Sequence, residues 1–250
     1  PTSPHETMEL FKDTIESLRS FMSASPHASV RRAGPASWPA GRRSIVFRED
    51  TGLELGGPRA ESTSAVLWTG RLDMVRDGLV TLVGPDLTGI ASTSLPFGIV
   101  TVAGITGCTE DNVIDLHREL ELVPFELELE GFMLRSASLQ HKPWCRISKS
   151  ALERGFDAAT LASSLMALYR KKPWVLSVET FVVTASDSDV RSMASILENA
   201  FMKTAALYKM AFEPELECES CEHQDVCDQA DELRRTHARR VLGKGAAGNA

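Results

Sequence analysis

The order of strand-like and helix-like segments limits this fold more than any single motif. Residues 174–184 form a strong β pattern with Val175, Val178, Phe181, Val182 and Val183. A helical stripe follows at once over 187–210, carrying Val190, Met193, Leu197, Phe201 and Leu207. Upstream, β-prone runs occur at 44–48, 65–69, 78–83 and 98–103, and Gly84-Pro85 and Leu95-Pro96 punctuate them. A helix is expected from Thr109, with Val113, Leu116, Leu120 and Val123 buried and Pro124 as its stop. Residues 127–135 and 144–147 read as extended, and Asp157 caps a helix that runs through Tyr169. Strands and helices mix without strict βαβ alternation, so the expected class is α+β, or mixed α/β.

The chain divides into four expected parts. Residues 1–43 hold a helix and a linker. Ser3-Pro4-His5-Glu6 reads as a capping box with Pro at the first helical position. Met8, Phe11, Ile15, Leu18 and Met22 make the apolar stripe. Residues 23–43 are rich in Ser, Ala, Pro, Gly and Arg, lack periodicity, and read as linker. Residues 44–212 form the mixed domain, 213–242 a Cys-rich segment and helix, and 243–250 a disordered Gly/Ala tail.

Five cysteines are present, Cys108, Cys145, Cys218, Cys221 and Cys227, and three of them fall within ten residues. An odd count without a secretion signal argues against a disulfide framework. In Cys218-x-x-Cys221 a tight turn can set two thiolates on one metal, and Cys227 can close it. Three thiolates leave one ligand to be supplied. For an iron–sulfur cluster the candidates are Cys108, Cys145, a non-cysteine group or an open iron. For structural zinc, His223 would complete a Cys₃His set. Cys108 precedes a helix start, where a thiol can be activated, although Cys108 and Cys145 both read first as small core side chains.

Net charge is −7, which argues against nucleic-acid binding through a basic face. Residues 213–232 carry nine acidic residues and no Lys or Arg, and residues 234–244 then carry five basic residues and no acid. Such a swing reads as a solvated helix surface or a docking patch. No stretch approaches the roughly 20 apolar residues of a membrane helix. With no signal pattern at the N-terminus, a cytoplasmic location is expected. Arg135, His141, Arg146 and Lys149 together suggest either a solvated basic edge or a site for an anion such as a CoA phosphate.

Several blocks recur in a telling order: Leu55-Gly-Gly-Pro-Arg-Ala-Glu-Ser62, Val83-Gly-Pro-Asp-Leu87, Leu95-Pro-Phe-Gly-Ile-Val-Thr-Val-Ala-Gly104, Glu130-Gly-Phe-Met133, and Trp144-Cys-Arg-Ile-Ser-Lys149, with the cysteines downstream. Over about residues 50–227 the chain resembles the A-cluster subunit of the acetyl-CoA decarbonylase/synthase complex, the CO-methylating acetyl-CoA synthase family. The resemblance implies an α+β middle domain leading into a cluster domain. It implies anaerobic one-carbon and corrinoid methyl metabolism, with a corrinoid protein or a CO dehydrogenase-like complex as partner and a CoA-type ligand. Family members join CO, a methyl group and coenzyme A on a [4Fe–4S] cubane bridged to a two-nickel unit. By resemblance Cys218 and Cys221 match the first two cluster cysteines, and Cys227 the third at shorter spacing. No fourth cysteine follows and the family's Cys-Gly-Cys element is absent, so nickel and the complete reaction are not expected of this chain alone. The implied role is an iron–sulfur accessory or specialised transferase subunit. The rival reading is a zinc-stapled module that docks a larger enzyme.

Overall fold

The computed structural model describes residues 9–41, 45–88, 90, 92–137 and 141–212. The chain divides into two units, Pro1–Ala206 and Leu207–Ala250. Among the described residues the second unit contributes only the end of the last helix.

The first unit is mixed α/β, as the order of its segments implies. Helix α1 (Lys12–Ala24) leads into β1 (Ala28–Arg32), β2 (Thr51–Gly56), β3 (Ser62–Thr69), β4 (Leu79–Val83), β5 (Ser94–Leu95) and β6 (Phe97–Ile105). Then come α2 (Val113–Leu122), β7 (Phe132–Ala137), β8 (Pro143–Ser148), α3 (Lys149–Glu153), α4 (Ala158–Tyr169), β9 (Val175–Val183) and α5 (Asp187–Phe212). One sheet has the order β1-β4-β9-β6-β3 and a second the order β5-β2-β8-β7. The first sheet mixes antiparallel pairs (β1 with β4, β6 with β9) and parallel ones (β4 with β9, β3 with β6).

Strand β9 lies third of the five because its residues suit burial on both faces. All but Leu176 are buried along it, the near-continuous apolar run of a covered strand. Its one carboxylate, Glu179, is 1% exposed. Arg19 Nη2 donates to Glu179 Oε2 at 2.7 Å and to the Met74 carbonyl at 2.7 Å, and the Arg76 N–H donates to Glu179 Oε2 at 3.1 Å. Helix α1 buries Ile15, Leu18 and Met22, the stripe read from sequence, and Phe11 just before it is also buried. The capping box at Ser3 lies outside the described residues.

Helix α4 begins where Asp157 Oδ1 accepts the Thr160 N–H at 2.7 Å, the cap its sequence implies. Helix α2 starts four residues later than expected. Thr109 and Asn112 form a turn before it, in which Asn112 Oδ1 accepts the Thr109 N–H at 2.8 Å. Its buried face uses His117 with Val113 and Leu120. Trp68 Nε1–H donates to His117 Nδ1 at 3.2 Å. That bond assigns the ring proton to Nε2, which faces Thr204 Oγ1 at 3.3 Å and Glu121 Oε1 at 3.4 Å.

Two expectations are corrected. The run 44–48 is not a strand: residues 45–47 are loop, Val46 is buried, and Ile45 and Phe47 are 68% and 58% exposed. The stretch 23–43 is not all linker, because Ala28–Arg32 pairs with β4 as an edge strand.

Truncating Arg19→Ala leaves Glu179 buried with one amide donor. Urea unfolding is expected to show a loss of about 3 kcal/mol or more. Arg19→Met combined with Glu179→Leu removes both charges and should restore stability to within about 1 kcal/mol of the parent.

Candidate functional site

The second sheet brings together two segments that lie far apart in sequence. Strands β2 and β8 pair antiparallel, with Gly56 opposite Trp144 and Glu54 opposite Arg146. At the end of β2 the chain turns through Gly56 (φ 66°) and Gly57 (φ 94°), a left-handed region that favours glycine. Space also requires them. A Cβ on Gly56 would lie 2.5 Å from the Pro143 carbonyl oxygen, and one on Gly57 would lie 2.7 Å from Trp144 Nε1. Gly56-Gly57-Pro58 is thus the tight turn its composition implies, laid directly on the Trp144 indole.

The loop leaving this turn is pinned at its far end by α5. The Glu61 N–H donates to Asp187 Oδ1 at 2.8 Å, and Arg191 Nη1 meets Glu61 Oε1 at 3.2 Å. Between the turn and this anchor opens a cleft of about 550 Å³, lined by Pro58, Arg59, Glu61, Lys142, Trp144 and Asp187 among others. That volume falls within the usual range for a small-molecule site.

The charges around the cleft are unequal in availability. Glu61 and Asp187 are engaged as described. Arg59 and Lys142 are exposed and make no ion pair among the described residues. Beneath them Arg146, 9% exposed, is held by Glu54 at 2.7 Å. Its guanidinium sits 5.7 Å from the centre of the Trp144 ring, a cation–π distance that steadies the indole. The cleft therefore offers an aromatic edge, a fixed loop and two cations that make no ion pair among the described residues.

Cys218, Cys221, Cys227 and His223 lie outside the described residues. Among the described residues no three His, Cys, Asp or Glu side chains converge to hold a metal. Cys145 is a core residue of β8, 2% exposed, and burial pushes its thiol up to about 12. Cys108 is half-buried after β6, and burial raises its thiol pKa too, the opposite of the activation a helix start could supply.

The four basic residues noted in sequence do not form one open anion site. Arg146 is committed to Glu54, and Lys149 Nζ donates to the Glu49 carbonyl at 2.8 Å. His141 stacks on Phe201 at 3.9 Å, and burial lowers its pKa, which favours the neutral ring. The side chain of Arg135 lies outside the described residues. Arg59 and Lys142 were missed because they lie far apart in sequence, Arg59 within one block and Lys142 just before another. The only signal for them was that Gly56-Gly57-Pro58-Arg59 and Lys142-Pro143-Trp144 both occur among or beside the ordered blocks.

Comparison with known proteins places these blocks in a family. Residues 39–188 match the model of the CO dehydrogenase/acetyl-CoA synthase complex beta subunit. The acetyl-CoA decarbonylase/synthase complex subunit beta of Archaeoglobus fulgidus is 28% identical over 145 residues, which are 57% of this chain and 27% of that relative. The chain thus spans roughly a quarter of the relative's length, and both cleft segments fall inside the matched region. This chain belongs to the CO dehydrogenase/acetyl-CoA synthase complex beta subunit family.

Proposed function

We propose that this chain is an accessory or specialised transferase subunit of a CO dehydrogenase-like complex in anaerobic one-carbon and corrinoid methyl metabolism. In this reading its Gly57–Trp144 cleft receives the phosphate-bearing part of a CoA-type ligand. One observation carries it: Arg59 and Lys142, both without ion pairs among the described residues, flank Trp144 across a cleft of about 550 Å³. Two cations suit phosphate oxygens, and the indole offers a face or edge to an adenine ring. The fixed turn and the Asp187 anchor hold the loop in place before a ligand arrives, which limits the entropy lost on binding. No helix of the described residues is long and apolar enough to cross a membrane.

Metal binding is assigned to Cys218, Cys221 and Cys227. Three thiolates suit three irons of a [4Fe–4S] cubane and leave the fourth to another donor. A cluster held there would supply electron transfer and one iron open to exchange. The alternative is zinc with His223, as a structural staple.

Calorimetric titration with CoA is expected to show binding that weakens as salt rises. Arg59→Ala and Lys142→Ala should each weaken it about tenfold, as the loss of one charged hydrogen bond implies. Gly57→Ala, whose methyl would displace Trp144, should weaken it at least as much. Unchanged affinity in the double Arg59→Ala, Lys142→Ala variant would remove CoA from this cleft.

Metal and sulfide analysis of anaerobically prepared protein tests the second assignment. Iron and sulfide in about equal amounts are expected, and both should be lost in Cys218→Ser and Cys221→Ser. One zinc without iron would make the segment a staple instead.

A further inference from the structure

The five-stranded sheet ends on β1, and no strand covers the outer side of β1 among the described residues. Its inner side is fully used. The Gly84 N–H donates to the His27 carbonyl and the Ala33 N–H to the Gly78 carbonyl, while Val30 stands opposite Thr81 and Arg32 opposite Leu79. In an antiparallel ladder the hydrogen-bonded positions alternate. Positions 27, 29, 31 and 33 therefore turn their amide groups to β4, and Val30 and Arg32 turn theirs outward.

Open edges are normally blunted by proline, a bulge, short length, charged side chains or a covering segment. Strand Ala28–Arg32 has no proline, and its register with β4 runs without a shift. At its middle Val30 is 57% exposed. Arg31 is neutralised by Asp86. Arg32, exposed on the same face as Val30, makes no direct ion pair among the described residues; the nearby Asp77, which feels its charge, is itself paired with Arg170. On a chain of net charge −7 this edge is locally basic. Pairing with a second copy would bring the Arg32 of both copies into one two-stranded ribbon, and like charges there are unfavourable.

We propose that β1 is a docking edge that takes an extended acidic segment of a partner protein by strand addition. The outward amides of Val30 and Arg32 bind the partner's main chain. An apolar residue of the partner lies against Val30, and an acidic one meets Arg32.

The test follows amide exchange of Val30 and Arg32 by NMR in the full chain. The probes are a peptide of about six alternating Glu and Val residues and its Lys/Val counterpart. The Glu/Val peptide is expected to slow both amides by about tenfold or more at saturation, and the Lys/Val peptide to leave them unchanged. Val30→Pro removes only an outward donor, which an edge strand tolerates, and Arg32→Glu reverses the charge. Each should abolish protection of the amide at position 32 (Val30→Pro) or position 30 (Arg32→Glu). Equal protection by both peptides, or by neither, overturns the proposal. So does protection already present without peptide. Protection that grows with protein concentration and is lost in Val30→Pro would assign the edge to a second copy instead.

Discussion

Glu179 is a carboxylate at the centre of a strand with no route to water, and the first unit is arranged around satisfying it. An isolated buried charge costs several kcal/mol. Arg19 and the Arg76 amide answer it, and Arg19 also takes the Met74 carbonyl. Three segments distant in sequence are thereby tied to one atom pair: α1, the turn before β4, and β9. Because α1 is fixed, the chain that leaves it can run straight into β1, which extends the sheet by one strand and leaves that strand as its edge. A hydrophobic pair of the same shape would hold these parts together too, but without fixing which atoms meet.

The cleft depends on a different constraint, the close approach of a loop to an indole. Trp144 has the turn at Gly57 on it and the Arg146 guanidinium nearby. Arg146 is itself fixed by Glu54, its cross-strand neighbour. The cleft wall is thus rigid through two sheet partners rather than through the loop's own contacts. Arg59 and Lys142 stand on this wall. They make no ion pair among the described residues, whereas Arg146 and Lys149 in better-packed positions are already engaged. A site for an anion is best sought where charge is exposed on rigid backbone, and this cleft meets that condition.

Much of the first unit was legible in sequence, for reasons that differ by element. Strands β6 and β9 are long apolar runs that only a covered strand accommodates, α4 carries its Asp157 cap, and α5 keeps its stripe over many turns. The run 44–48 misled because Ile45, Val46 and Phe47 have strand propensity, yet among the described residues no strand pairs with them. Propensity cannot supply a partner. Strand β1 was hidden for the converse reason. Ala28-Ser-Val-Arg-Arg32 has little apolar content, and its place at the edge requires little. The site was legible only in pieces. Both cleft segments lie in or beside blocks that stand out by their order, but the β2–β8 pairing that joins them is long-range and has no local signature. His117 illustrates the same limit. A histidine at a helical position where Leu116 looked the better core residue is buried because Trp68, from β3, supplies a donor for it.

The division between sheet and cysteine segment carries a physical consequence for the family reading. In the proposed reading, ligand recognition at the cleft would draw on Arg59, Lys142, Trp144 and the Asp187 anchor, all within the first unit. The thiolates at Cys218, Cys221 and Cys227 belong to the second. On that proposal, binding of a phosphate-bearing ligand would have its own charges and its own rigid wall, and would need no thiolate to form them. In a chain whose match covers 27% of its relative, a recognition surface complete in itself could be kept independently of any metal site elsewhere in the chain. Affinity for the ligand and the identity of the bound metal are then separate properties, governed by different residues. A substitution at the cleft should leave the metal complement as it was, and the loss of a cysteine should leave the cleft's salt-dependent affinity as it was.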